Sequence, residues 1–509
     1  MQTLIDYFET TAASFPTKLA VSDCNSNLSF EELRLWSRII ATKILKNNKS
    51  INKPIVVLLP KCNMAIASFL GILYTGNIFT PLDLNNPEER LEILLKNLDS
   101  DIIITDTENS KKLKTQKKTV INIDNLNLDS QVFIPLNYTN CIDTDPAYLM
   151  HTSGSKGVLI SHKSICNHIN CIIDTFNINE NEIIGNQANF VFDNSIMDIF
   201  LMAFTGATIH LISQKLLNYP IELAKFLRDN DINYIYWVPT VLVNMANKDA
   251  LNKTKLPSLK KVLFCGEVMP TKQINYWIKR LNKSTLFANL YGPTETTICS
   301  SYYIIKKEFK DSEVLPIGKP FKNQDLILLN EKNHRCEIGE HGEICIRGTS
   351  LALGYWNDFK KTKEVFVQNP LNKSYSDKIY RTGDLAYWNE NNEIVFMNRK
   401  DSQIKLFGYR IELGEIEHAV NSSFDSLIAC VIFDKLTNQI VLFYESEKDI
   451  SLIQFRKILS KVLLKYMLPT KFVRIKSMPT IASGKIDRTL LLQMISENKS
   501  SSILTRETA

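Results

Sequence analysis

Several short clusters in the chain put reactive side chains on tight turns. Asn289-Leu-Tyr-Gly-Pro-Thr-Glu295 sets an aromatic, a turn, a hydroxyl and a carboxylate side by side. That set can stack a base, contact a phosphate and hold Mg2+ through Glu295, because hard cations prefer carboxylate oxygen. Tyr380-Arg-Thr-Gly-Asp384 adds a turn-borne acid suited to accept hydrogen bonds from ribose hydroxyls. Ala147 to Val158 runs from an apolar strand into the hydroxyl- and glycine-rich turn Thr152-Ser153-Gly154-Ser155, followed by Lys156. The backbone N–H groups and hydroxyls of such a turn can wrap phosphate oxygens, with the lysine adding positive charge. The Walker spacing is absent, and a Ser/Gly-rich turn by itself is more often only a turn. Asn398-Arg399-Lys400 and Ser483-Gly-Lys485 place further cations beside small or polar residues.

These turns need a scaffold, and the chain has the composition for one. It has 509 residues, 44% hydrophobic and 22% charged, which supports large packed cores and excludes disordered and fibrous classes. The net charge of +6 is too small and diffuse to imply nucleic acid, and the dense run from Lys111 to Lys118 reads as a solvated loop. The ten cysteines form no CxxC pairs, which argues against a disulfide scaffold or structural zinc and for a reducing, cytoplasmic setting. No run approaches the ~18 apolar residues of a spanning helix, so membrane insertion is not expected.

Ser29-Phe-Glu-Glu32 reads as a capping box, and Leu33, Trp36, Ile40 and Ile44 continue it as a helix to about Lys46. Ile55–Leu59, Ile102–Thr105, Tyr234–Val238 and Val262–Phe264 read as buried strands. Strands separated by helical stretches predict an α/β fold with mostly parallel sheets. Beyond Gly339 the pattern shifts to short strands and turns, such as Gly342–Arg347.

In order, Leu28–Leu33, Leu73–Asp83, the Thr152 turn, Phe192–Ser195, Tyr291–Glu295, Gly342–Gly348, Tyr380–Asp384, Arg399–Glu417, Tyr466–Pro469 and Gly484–Arg488 resemble the core motifs of the adenylate-forming superfamily, in its amino-acid adenylation branch. The resemblance implies a large N-terminal lobe of layered α/β subdomains, residues 1–400, holding the ATP and substrate pockets. A small, mobile, mixed α+β lobe, residues 401–509, would swing on a hinge near Asp401. The implied reaction joins a carboxylate to the α-phosphate of ATP, releases pyrophosphate, and passes the acyl group to a thiol.

Under that resemblance Lys485 is the catalytic lysine, touching the carboxylate and the α-phosphate. Glu295 is the Mg2+ ligand, Thr294 a phosphate contact and Asp384 the ribose acid, with Arg399 beside it and Tyr291 against adenine. The remaining ATP contacts would fall on Thr152, Ser153, Gly154, Ser155, Lys156, Asn289, Leu290, Gly292, Pro293 and Asn398. Asp193 would pair with a substrate ammonium, since a fatty or aryl acid offers a buried carboxylate no partner. The competing reading makes Asp193 the N-cap of a helix. Phe264-Cys265-Gly-Glu267, with Met197-Asp198, is similar to D-alanine–D-alanyl carrier protein ligases, in which the cysteine shapes a small pocket and Ile298 would form another wall. The acceptor would be the phosphopantetheine thiol of a carrier protein acting in trans.

One departure bears on activity. The family places Thr-Gly-x-Pro where this chain runs directly from Ser155 to Lys156. Either the phosphate loop is truly shortened or loop residues are missing from the sequence. An acyl-CoA synthetase on the same scaffold, and a degenerate fold that binds without catalysing, are the alternatives.

Overall fold

The computed structural model describes residues 2–113, 118–127, 141–151, 156–400, 403–424, 427–446, 450–480 and 486–497. Thr152–Ser155, Asp401 and Lys485 lie outside these, as does the centre of the Lys111–Lys118 run. The chain divides into two compact units, Met1–Leu84 with Asn97–Lys400, and Asn85–Lys96 with Asp401–Ala509.

Two largely parallel sheets organise the first unit. One contains, as successive neighbours, Leu286–Tyr291, Lys261–Phe264, Tyr234–Trp237, Ile183–Asn186, Thr208–Leu211 and Leu19–Ser22. The other centres on Ile78–Pro81, Pro54–Leu58 and Ile102–Thr105. Every residue of Tyr234–Trp237 and of these three central strands is buried, as in parallel strands covered on both faces. One continuous core joins the two sheets through helices, with Phe8, Ile40, Phe69, Ile169 and Phe200 among its members.

The helix Phe30–Asn47 starts at the expected capping box: Ser29 N donates to Glu32 Oε2 at 2.8 Å and Glu32 N to Ser29 Oγ at 3.2 Å. It crosses the helix Asn63–Leu73 at Gly71, where a methyl would sit 2.8 Å from the Ser37 carbonyl oxygen and 2.9 Å from Ile40 Cγ2. Only a residue without a side chain permits that approach.

The third sheet of this unit is antiparallel. Gln324–Leu329, Gly342–Gly348 and Lys378–Trp388 run side by side, and Ile394–Arg399 pairs with Lys378–Trp388. The shift to short strands and turns beyond Gly339 is this sheet.

The second unit is mixed α+β. A hairpin of Gln403–Leu406 and Tyr409–Glu412 leads into the helix Leu413–Ser423, followed by a sheet of Ile428–Asp434, Gln439–Glu445 and Lys471–Ile475. Its core includes Ile416, Val431, Leu442 and Phe455. The sequence assigns all of 1–400 to one lobe, yet Asn85–Lys96 groups with this unit. The physical reason is Arg90, whose Nη1 pairs with Glu415 Oε1 at 2.7 Å within the unit.

Gly71→Ala is expected to destabilise the protein by about 1–3 kcal/mol, the usual result of forcing a methyl into a close-packed contact. Gly414→Ala, where a methyl meets nothing within 4 Å, should stay within about 0.5 kcal/mol. Thermal melts of the two variants check the contrast.

Candidate active site

Four neighbouring parallel strands deliver the site to one edge. Tyr291 ends Leu286–Tyr291, Cys265 follows Lys261–Phe264, Tyr236 lies near the end of Tyr234–Trp237, and the segment ending at Asp193 follows Ile183–Asn186. The carboxyl ends of parallel strands are where open α/β sheets bind ligands, because loops there diverge and leave a crevice.

The first cluster centres on Asp384. Antiparallel register sets Asp384 directly opposite Arg399. Arg399 Nη1 reaches Asp384 Oδ1 at 2.5 Å, and its Nη2 donates to the Thr382 carbonyl at 3.0 Å. The other carboxylate oxygen, Oδ2, accepts the Tyr291 hydroxyl at 2.6 Å. Burial and then the Asp384 charge push the Tyr291 phenol well above its ordinary range, so it remains a protonated donor. Behind this turn the buried Glu343 accepts Gly383 N at 3.1 Å and lies 3.3 Å from Lys400 Nζ and 3.5 Å from Arg381 Nε.

After Tyr291 the chain folds back on itself. Ser300 N donates to the Tyr291 carbonyl at 2.7 Å. A Cβ at Gly292 would lie 2.4 Å from Cys299 Cα, so the loop closes only with glycine there. Thr297 and Ile298 complete the turn at φ of 58° and 68°. Glu295 is fully buried in this loop, and its Oε1 accepts the Tyr355 hydroxyl at 2.8 Å.

The second cluster surrounds Asp193. Asp193 occupies the N-cap position of the helix Asn194–Thr205, but its side chain makes no cap hydrogen bond. Its charge acts instead on Tyr148, Tyr236 and Cys299. The Tyr236 hydroxyl donates to Asn194 Oδ1 at 3.3 Å and lies 3.9 Å from Cys299 Sγ, which lies 3.7 Å from His168 Nε2. Cys265 is buried against both Tyr236 and Cys299. Burial raises the Tyr236 phenol and the Cys299 thiol well above their ordinary values and lowers His168 to about 3. The Tyr236 phenol and the Cys299 thiol are therefore protonated and the His168 imidazole neutral.

The structure thus brings Tyr291, Asp384 and Arg399 together, and Asp193, Cys265 and the neighbourhood of Ile298 together. Thr294 and Pro293 lie on the Glu295 loop, and Lys156 immediately precedes the strand Gly157–Ser161. Other expected contacts are not gathered in. Asn289 gives its amide to the Pro316 carbonyl at 2.8 Å, Leu290 packs in the core, and Asn398 is exposed opposite Leu385. The sequence reading missed Tyr236, Asn194, His168 and Cys299. Tyr236 hides inside an unbroken apolar strand; Cys299, one residue beyond Ile298, carried the better signal.

The fold and the two clusters define an adenylate-forming enzyme of the amino-acid adenylation branch. A family model described as AMP-binding enzyme matches residues 8–356, and the chain belongs to that family. Tyrocidine synthase 1 of Brevibacillus parabrevis is 31% identical over 493 residues, covering 95% of this chain but 44% of that protein. Zwittermicin A synthase ZmaJ of Bacillus cereus is 32% identical over 509 residues, covering 97% of this chain and 95% of that protein. The chain therefore spans less than half of the first relative and nearly all of the second. Among solved structures, the crystal structure of IdnL1 superposes with a TM-score of 0.82 at 24% identity, covering 94% of this chain and 99% of that one. NpsA-ThdA, an artificially fused adenylation–PCP di-domain from Klebsiella oxytoca, gives a TM-score of 0.80 at 21% identity, covering 94% of each chain. Among the described residues, no helix is long and apolar enough to cross a membrane.

His168 supplies a pH test. Its folded value of about 3 lies below the ordinary 6.5, so on acidification the unfolded chain takes up this proton first. Stability is therefore present above pH 6.5 and falls between there and pH 3. Between pH 7 and pH 5 the wild-type chain should lose about 2 kcal/mol more than His168→Gln, which does not titrate. Denaturant unfolding at the two pH values checks the difference.

Proposed function

We propose that the chain activates a small amino acid, D-alanine foremost, as its aminoacyl-adenylate at the expense of ATP. It then transfers the acyl group to the phosphopantetheine thiol of a separate carrier protein. The observation that carries the amino-acid reading is Asp193: it stands where a helix cap would, makes no cap bond, and faces neutral tyrosine and cysteine side chains. A carboxylate so placed attracts an ammonium group and has nothing to offer an unsubstituted acyl chain. The Cys265 thiol, buried beside Tyr236 and Cys299, is in keeping with a small substrate such as alanine.

On this reading Asp384, held by Arg399, accepts the ribose hydroxyls, and the Tyr291 ring lies along adenine while its hydroxyl steadies Asp384. Thr294 and the Thr152–Lys156 turn contact phosphates. Lys485 bridges the substrate carboxylate and the α-phosphate, stabilising the charge that builds as the new bond forms. Glu295, a buried carboxylate on the same loop as Thr294, suits Mg2+ by donor chemistry. When bound, that ion neutralises phosphate charge. The second unit, with Lys485, would move as the mobile lobe. The adenylation–PCP pairing named for the Klebsiella structure is in keeping with a carrier partner.

ATP–pyrophosphate exchange with D-alanine, L-alanine, glycine, serine and acetate tests the reading. Exchange is expected to be strongest with D-alanine and absent with acetate. Acetate-dependent exchange without any amino acid would point to the acyl-CoA synthetase, and no exchange with any acid to a non-catalytic fold. Lys485→Ala should lower exchange by about 10²-fold or more; undiminished exchange sinks the assignment.

A further inference from the structure

Next to the segment that ends in Asp193 lie a half-buried lysine and a fully buried aspartate that the proposed chemistry does not use. Lys61 sits between the strand Pro54–Leu58 and the helix Asn63–Leu73. Its Nζ donates to three successive carbonyl oxygens, those of Asn186 at 3.1 Å, Gln187 at 3.1 Å and Ala188 at 3.5 Å. The Asn186 side chain turns the other way, its Nδ2 donating to Asp198 Oδ2 at 2.8 Å. Asp198 is fully buried on the helix that begins just after Asp193. Gln187 ties the same segment to the neighbouring strand end, its Oε1 accepting Val238 N at 3.3 Å.

An ammonium and a carboxyl group in this setting are costly. Burial lowers Lys61 to about 7 and raises Asp198 to about 8, and each charge opposes the other's shift. A well-packed apolar pair of similar volume would commonly be as stable or more so. What an apolar pair could not do is hold three successive backbone carbonyls at this strand end in one place. Residues 187–193 lie between the two anchors, with Lys61 gripping their start and Asp198 fixing the helix at their end.

We propose that Lys61 and Asp198 are positioning residues for the amino-acid pocket, clamping segment 186–193 so that Asp193 meets the substrate ammonium in register. The proposal rests on the reading of Asp193 as the ammonium partner. Small misplacements of such a group are expensive: about 1 Å can cost about 10²-fold in rate.

The test uses the full chain and two readouts. In ATP–pyrophosphate exchange, Lys61→Met should raise the KM for the amino acid about ten-fold or more, the loss expected for charged hydrogen bonds, while the KM for ATP stays within about two-fold. Lys61→Arg should restore most of the amino-acid affinity. Equal changes in both KM values, or none, would overturn the proposal, because a merely structural role does not separate the two substrates. Hydrogen–deuterium exchange supplies the second readout, independent of activity. Lys61→Met should lose protection at residues 187–195 and keep it at 286–291; unchanged protection at 187–195 overturns the proposal. If wild-type chain shows no exchange with any amino acid, the reading of Asp193 fails and the amide protection alone decides whether the clamp exists. If Lys61→Met does not fold, Asp198→Asn takes its place, since it removes the charge and keeps an acceptor for Asn186.

Discussion

Parallel pairing of Ile183–Asn186, Tyr234–Trp237, Lys261–Phe264 and Leu286–Tyr291 is the constraint on which the site depends. Strands that run the same way must end on the same edge, whatever their loops contain. The register then decides which side chains share a neighbourhood: Asp193, Tyr236, Cys265 and Tyr291 are far apart in sequence and close at that edge. The buried, apolar character of these strands makes slippage costly, since moving any of them by one residue would exchange the residues facing the two packed layers. A single backbone arrangement thus supplies both halves of the site.

The two halves solve opposite electrostatic problems. Around Asp384 a carboxylate is stabilised by a guanidinium directly across the ladder and by a phenol that burial keeps protonated. Both carboxylate oxygens are thereby oriented before any ligand arrives. Around Asp193 the neighbours include phenol and thiol groups that burial keeps protonated. The first arrangement fixes a carboxylate by hydrogen-bond geometry; the second sets one among protonated phenol and thiol groups.

Much of the scaffold could be read from residues alone, because the signals were local. The Ser29–Glu32 capping box set the start of its helix, and Ile102–Thr105 is a strand with the expected bounds. The motifs that carry Tyr291, Asp384 and Arg399 pointed to residues that do converge. Other features are tertiary and left no local mark. Nothing in Glu88–Leu98 announces that Arg90 belongs with Glu415, far along the chain. Tyr236 looks like a core residue until the neighbouring strands place Asn194 and Cys299 beside it. Asn289 and Asn398, by contrast, sit within suggestive motifs yet face a backbone carbonyl and solvent.

The loop from Tyr291 to Ser300 has a thermodynamic consequence. Its two ends are joined by a backbone hydrogen bond and by a glycine packed against the Cys299 backbone, so they cannot shift separately. One end carries the phenol on the Asp384 side and the other the thiol on the Asp193 side. Were a ligand to displace one side, the loop would carry the shift to the other. Linkage then requires the two affinities to change by the same factor in either order of binding. The short closed loop is thus a direct covalent and hydrogen-bonded connection between the two clusters.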